Sequence, residues 1–258
     1  MQTAVVMMSK TPAPGFSKTR LLEALTPEEC AEFHRKCIAD LAAVIRSLQL
    51  PLYIYYVNAA SDIENQEEFL AAWGLTSELS QNIRFRLQQG NDLGQKMLNA
   101  VRETLVDYPA MIVIGSDLPD LSFDQFQEAC TNLEQADLVI GPCYDGGYYL
   151  MGLKEAHSFL FEEIPWSTPQ VLECTLSKAE QSGLNVQLLD TCRDIDNWTD
   201  MSDFYRRNKG QSSLQSFSYA EHLIKKYAVA AQTDNSQDFG PSKKEAVRRS
   251  NLEEKLLE

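Results

Sequence analysis

The sequence predicts a single α/β domain in which short buried strands alternate with amphipathic helices and ligand-bearing loops gather at one rim of a sheet. Three observations carry this expectation. Residues 3–8 (TAVVMM), 52–57 (LYIYYV) and 111–114 (MIVI) are apolar runs too short for helices, as strands buried on both faces are. Longer amphipathic patterns lie between them, the alternation that builds parallel sheets. The runs end in Gly, Pro, Ser and Asp, and the carboxyl ends of strands are where open α/β sheets bind ligands.

After the first strand comes SKTPAPGFSKTRL, residues 9–21. Two prolines and Gly15 make this a non-regular loop, and Lys10, Lys18 and Arg20 set three cations directly behind a strand. The loop suits a phosphate cradle, with Gly15 letting backbone N–H groups approach and the cations neutralising charge. It also suits a solvated loop whose lysines face water. The glycine spacing and GK[ST] ending of the P-loop are absent. Thr26, Pro27 and Glu29 then form a helix start, predicting a helix to about residue 48. A strand at 52–57, a short helix at 66–73 and a strand at 83–87 follow, the last alternating apolar and charged residues as one solvated side requires. In QGNDLGQKM, residues 89–97, Gly90 and Gly94 bracket Asp92 in a turn that opens the next helix. Asp92 reads first as that helix's cap and second as a ligand on the rim.

The stretch MIVIGSDLPDL, residues 111–121, is the centre of the pattern. Asp117 stands at a strand's carboxyl end and Pro119 turns the chain away, so the carboxylate is placed to hold a divalent cation and, through it, a diphosphate. Its other reading is a cap for the helix that follows. Ser122 caps a helix to about residue 134, and residues 137–141 form another strand. In GPCYDGGYYLMGL, residues 141–153, Asp145, Gly146 and Gly147 suit both a tight hairpin turn and a substrate-facing loop, and Tyr148 resumes a strand. IPWST, residues 164–168, sets Thr168 as cap and Pro169 at the first position of a helix ending near Gly183. Trp166 is either a ring stacked on a sugar or base, or the filling of a loop's underside. A last strand at 186–189 leads to Asp194, Ile195 and Asp196, with Asn197 capping the next helix. Asp196 is the second carboxylate for the metal and Asp194 its close competitor. Ser218 with Glu221 starts one more amphipathic helix to about residue 230, and the polar remainder reads as a flexible tail. The expected organisation is one domain over 1–206, a helical extension over 207–231 and a tail over 232–258.

Composition limits the partners. The 258 residues hold 23 basic and 37 acidic side chains, a net charge of -14, so the overall field repels nucleic acid and anionic membrane. A phosphate ligand therefore needs local cations or a metal. No apolar run approaches the roughly 20 residues of a membrane span and no basic start precedes an apolar segment, which sets the expectation of a cytoplasmic protein without membrane or nucleic-acid partners. A homo-oligomer is compatible with all of this. The six cysteines lack CxxC spacing and read as reduced thiols, and the three histidines form no ligand motif and receive no role.

Taken together and in order, KTPAPGFSKTRL, GNDLGQKM, GSDLP, GPCYDGGYYLMGL, IPWST and DIDNWTDM resemble the small bacterial GT-A-type proteins known as arsenosugar biosynthesis glycosyltransferases, relatives of phospholactate and molybdenum-cofactor guanylyltransferases. The resemblance covers residues 4–205. It implies a three-layer α/β/α nucleotide-diphospho-sugar transferase fold (GT-A, Rossmann-like) with a mixed, mostly parallel sheet. By motif, Lys10, Gly15, Lys18 and Arg20 would contact nucleotide or phosphates, with Asp92 and Trp166 beside them. Asp117 would hold a divalent cation, Mg2+ or Mn2+, and Asp196 matches the second metal carboxylate of related nucleotidyltransferases. Asp145, Gly146 and Gly147 would face acceptor or sugar. One departure stands out: where many GT-A glycosyltransferases carry DxD, this chain has GSD, Gly115 to Asp117, a form closer to nucleotidyltransferases. The expected reaction moves a sugar from a nucleotide-diphosphate sugar to a small-molecule acceptor, with Asp145 as base. The alternative couples a nucleoside triphosphate to a phosphorylated small molecule, with Lys18 and Arg20 taking up transition-state charge. A non-catalytic nucleotide-binding protein is the third reading.

Overall fold

The computed structural model describes residues 2–57, 66–210 and 213–234. Its strands are β1 (Thr3–Lys10), β2 (Leu52–Val57), β3 (Ile83–Leu87), β4 (Ala110–Ile114), β5 (Leu138–Pro142), β6 (Tyr148–Leu153) and β7 (Val186–Leu188). They form one sheet in the order β3-β2-β1-β4-β6-β5-β7. β1 pairs parallel with β2 and β4, β2 with β3, and β5 with β7, whereas β6 runs antiparallel to both its neighbours. The sheet is thus mixed and mostly parallel, as the resemblance implies.

The helices are α1 (Pro27–Ser47), α2 (Gln66–Ala72), α3 (Leu93–Leu105), α4 (Phe123–Leu133), α5 (Val171–Gln181), α6 (Trp198–Arg207) and α7 (Gln215–Asp234). Successive residues of a strand point to opposite faces. On one face Val5 and Met7 pack with Ile38, Leu41 and Ile45 of α1 and with Phe126 and Leu133 of α4. On the other, Val6, Met111 and Val113 meet Met97, Leu98 and Val101 of α3. Burial on both sides is why β1 and β4 read as unbroken apolar runs. β3, on the edge, leaves Arg84 and Arg86 in solvent, which accounts for its alternating sequence.

Two element starts differ from expectation. α5 begins at Val171 rather than at Pro169, because Thr168 Oγ1 donates to Pro165 O at 2.7 Å and the turn around it stays outside the helix. α7 begins at Gln215 rather than after Ser218, because its cap comes from another helix. The buried Asp40 carboxylate on α1 accepts from Gln215 N at 2.9 Å, Ser216 N at 2.8 Å and Ser216 Oγ at 2.6 Å. With Phe217, Ala220 and Leu223, α7 then joins Phe33 and Cys37 of α1 and Met201 and Phe204 of α6 in a third apolar cluster. The expected tail beyond residue 234 lies outside the described residues. The six cysteines carry no disulfide, and among the described residues no helix is long and apolar enough to cross a membrane.

Candidate active site

The loop after β1 delivers Lys18 into the molecule. Lys18 takes φ 50°, in the left-handed region that non-glycine residues rarely occupy, and its side chain is only 3% exposed. Its ammonium pairs with Asp117 Oδ1 at 2.5 Å and donates to Ile195 O at 2.7 Å. One side chain therefore joins three segments: the β1 loop, the end of β4 and the stretch before α6. Burial opposes the charge on Lys18, but Asp117 beside it outweighs that and holds the ammonium above the usual lysine range. The pairing works in both directions. Burial disfavours an ionised Asp117, yet Lys18 and the nearby cations hold its carboxyl below the usual carboxylate range, and 45% of the Asp117 side chain faces solvent.

Two residues on, Arg20 ion-pairs with Asp196. Ile195 N donates to Asp117 O at 3.0 Å, so the two segments that carry Asp117 and Asp196 are stitched through their backbones. Asp145 and Asp194 complete a set of four carboxylates on the rim. Potential ligand atoms of Cys143, Asp145 and Asp194 lie within 4.8 Å of one another. Burial, followed by repulsion from Asp196, Asp145 and Asp117, pushes the Asp194 carboxyl up to about 6. Burial, helped by Asp194 and Asp145, also drives the Cys143 thiol upward. Oxygens of carboxylates make up most of the donors, which suits a hard divalent cation. Asp117 and Asp196, the two carboxylates expected to hold metal, each face a cation here, while Asp194, the competitor, sits in the converging group.

The other candidates fall around this rim. Lys10 is exposed, its ammonium 5.9 Å from the Phe16 ring centroid. Gly15 takes φ 75° with open space beyond it. Asp92 caps α3, accepting from Gln95 N at 2.8 Å, which is the first of its two readings. Asp145 Oδ1 accepts from Gly147 N at 2.9 Å in the β5–β6 turn. Gly146 takes φ 87°, its O accepts from Leu172 N at 2.9 Å, and a Cβ there would meet Pro169 O at 2.1 Å, so the turn is held against the start of α5. Trp166 is half-buried, edge-on to Tyr148 at 6.4 Å and against Gly94, where a Cβ would meet its Nε1 at 2.7 Å. There it packs against the apolar cluster that holds Met97, Leu98 and Val101.

Residues 41–168 match a family model described as an uncharacterized protein conserved in bacteria, DUF2064. The fold also matches the crystal structure of a candidate nucleotide-diphospho-sugar transferase from Desulfovibrio desulfuricans G20, with TM-score 0.78 and 30% identity over 88% of this chain and 98% of that chain. The chain belongs to the DUF2064 family. A cytidylyltransferase from Leptospira borgpetersenii serovar Hardjo-bovis (strain JB197) is more distant, at TM-score 0.48 and 12% identity over 94% of this chain and 99% of that one. So is CMP:2-keto-3-deoxy-manno-octonic acid synthetase complexed with CTP, at TM-score 0.48 and 10% identity over 82% and 99%. No curated protein matches the chain by sequence.

In this DUF2064 chain one residue that sequence reasoning passed over lies directly beneath the site. His34 of α1 is buried, and its Nε2 is 2.8 Å from Ser116 Oγ and 3.3 Å from Ser9 Oγ, while Ser9 Oγ donates to Ser116 Oγ at 3.2 Å. The cluster braces the end of β1 against the residue before Asp117. Burial drives the imidazole down to about 3, so it stays neutral, and Nδ1 has no hydrogen-bond partner among the described residues. A signal was available: His34 falls on the stripe of α1 formed by Cys30, Phe33, Cys37 and Leu41, where a polar residue needs a partner.

Proposed function

We propose that this chain is a metal-dependent glycosyltransferase that moves a sugar from a nucleotide-diphosphate sugar to a small-molecule acceptor. The observation that carries the reading is the Lys18–Asp117 pair, which locks a cation from the β1 loop to the acid at the end of β4 on a rim with three further carboxylates. A site of this composition suits a diphosphate, which the loop cations would neutralise and a divalent ion held by the carboxylates would help to bind. The nucleotide-diphospho-sugar transferase assignment of the Desulfovibrio protein supports the same class.

The residues fit a bound Mg2+ or Mn2+: ligand atoms of Asp145 and Asp194 converge within 4.8 Å, and Asp194 is also repelled by the nearby Asp196 and Asp117. Asp117 and Asp196, with Asp194 beside them, would hold the cation, which when bound stabilises negative charge developing on the departing nucleoside diphosphate. The chain's own groups do the rest. Lys18 and Arg20 neutralise phosphate oxygens and keep their orientation through Asp117 and Asp196. Lys10 ends β1 and Gly15 lies on the loop that follows, where a cation and a bare backbone accept the nucleotide, and Asp92 and Trp166 border it. Asp145, exposed at the β5–β6 turn, takes the proton from the acceptor hydroxyl, with Gly146 and Gly147 leaving room beside it.

The same fixed cations favour a second reading, nucleotidyl transfer from a nucleoside triphosphate to a phosphorylated acceptor, in which Lys18 and Arg20 take up charge around the attacked phosphorus. Calorimetric titration of Mn2+ in the presence of a nucleoside diphosphate tests the shared core. The wild type is expected to bind and Asp117→Ala to lose at least about tenfold in affinity, an estimate that treats one carboxylate as a main ligand. Unchanged binding by Asp117→Ala would remove the metal-dependent mechanism.

A further inference from the structure

Beside the carboxylate rim lies a cavity of about 750 Å3, a size suited to a small-molecule ligand. The segments that carry the acids also build its wall. Leu118, Tyr144 and Arg193 line it and are the immediate neighbours of Asp117, Asp145 and Asp194. From α6 come Asp203, Arg206 and Arg207.

The charge of this cavity is opposite to that of the molecule. Arg207 is committed to Asp120 by a two-bond fork, Nε to Oδ2 at 2.8 Å and Nη2 to Oδ1 at 3.2 Å. Arg193 and Arg206, in contrast, share the single carboxylate of Asp203. Two guanidiniums offer ten N–H donors between them, and Asp203 can accept only a few. Both arginines remain about half exposed, at 46% and 53% of their side chains. In a chain of net charge -14, an arginine pair with one carboxylate between them is a local reversal, and guanidinium is the group best matched to phosphate oxygens. A second feature points to an organic ligand. Tyr144 is 70% exposed at the cavity wall, with the Arg193 guanidinium 5.4 Å from its ring centroid. An exposed aromatic side chain beside an anion site gives a sugar or flat ring apolar surface to pack on.

We propose that this cavity binds a phosphorylated small molecule, its phosphate held by Arg193 and Arg206 and its organic part against Tyr144. Shared segments place that molecule next to the acids, so it serves as the acceptor of the transfer. The role of acceptor rests on the proposed transferase reading, whereas the binding does not. A phosphate-bearing acceptor fits both reactions considered above, as an anchor for an attacking hydroxyl or as the nucleophile itself.

Calorimetry of the full chain with glucose 1-phosphate, ribose 5-phosphate and inorganic phosphate, with and without saturating nucleoside diphosphate, tests this. The account expects one of the sugar phosphates to bind equally well with the nucleotide present, because the two sites are separate. Arg193→Ala and Arg206→Ala should each weaken it about tenfold or more, the usual worth of a charge-assisted contact. Tyr144→Ala should weaken the sugar phosphate while leaving inorganic phosphate unchanged. Arg206→Lys, which keeps the charge and loses the fork, should fall between wild type and Arg206→Ala. Competition with the nucleotide, indifference to all the arginine variants, or no binding by any of the three probes would each overturn the proposal. Circular dichroism of each variant must match wild type; any that does not is replaced by its methionine counterpart, judged on the same binding criterion. If the sugar phosphate binds as expected while no nucleotide or nucleotide sugar does, the cavity stands and the transferase reading falls.

Discussion

A lysine almost wholly removed from solvent keeps its charge only where an anion stands against it, and Lys18 has Asp117 at 2.5 Å. The cost of its left-handed backbone, about 1 kcal/mol or more, is tolerated because the loop must bring that ammonium to Asp117 and to Ile195 O. Lys18→Ala should therefore lower affinity for a nucleoside diphosphate by about tenfold or more, read by calorimetry, since it removes a charge-assisted contact and frees the β1 loop at once. Asp92 separates the two uses of a carboxylate. As an α3 cap it is replaceable by asparagine without loss of stability, and Asp92→Ala should cost about 1 kcal/mol in urea denaturation. If Asp92→Asn nonetheless lost nucleotide affinity, Asp92 would be a ligand as well as a cap.

Among the elements, α7 shows how far the chain reaches for its contacts. Asp40 caps it from α1, 175 residues before Gln215 in sequence, and its two carboxylate oxygens accept from the first two backbone N–H groups of the helix. Asp40→Ala should cost about 1–3 kcal/mol, from the lost cap and the buried N–H groups left unpaired, measured as a lower urea midpoint. The middle of the same helix is tied through Glu29, whose carboxylate accepts from Lys226 Nζ at 2.6 Å, Tyr227 Oη at 2.6 Å and Thr26 N at 2.9 Å. Burial disfavours its charge, but these bonds, Lys226 first among them, outweigh burial and hold the carboxyl below its ordinary 4.5. A carboxyl depressed in the folded state stabilises it fully above the unfolded value. That stabilisation disappears as pH falls from about 4.5 through the folded value. Trp198 lies 6.0 Å from the Tyr227 ring, so tryptophan fluorescence should report the loosening of α7 over this range. Glu29→Gln should flatten that pH dependence, and an unaltered acid transition in the variant would show that Glu29 does not govern it.

At the scale of the whole molecule, the order of elements was legible because β1 and β4 are buried on both faces and so appear as unbroken apolar runs. The capping boxes at Thr26, Ser122 and Asn197 were legible because they are local, closed within four residues. The starts of α5 and α7 were not. One depends on a turn around Thr168 and the other on a distant carboxylate, and neither leaves a mark in its own helix. The rim itself was visible as a set of acids and cations at strand ends. Their pairing was not, since whether Lys18 faces water or Asp117 depends on how the β1 loop folds back. His34 was overlooked for the same reason: its partners Ser9 and Ser116 come from two other strand ends.

The most direct test of the central claim is a thermal-shift titration of the full chain with nucleoside diphosphates, nucleoside triphosphates and nucleotide sugars, each with and without Mg2+ or Mn2+. A ligand that binds the folded state raises the melting temperature by mass action. The account predicts metal-dependent stabilisation by one nucleotide sugar beyond that given by its diphosphate, and loss of that increment in Asp117→Ala. Stabilisation by a triphosphate alone would replace glycosyl with nucleotidyl transfer, and no shift with any nucleotide would contradict both.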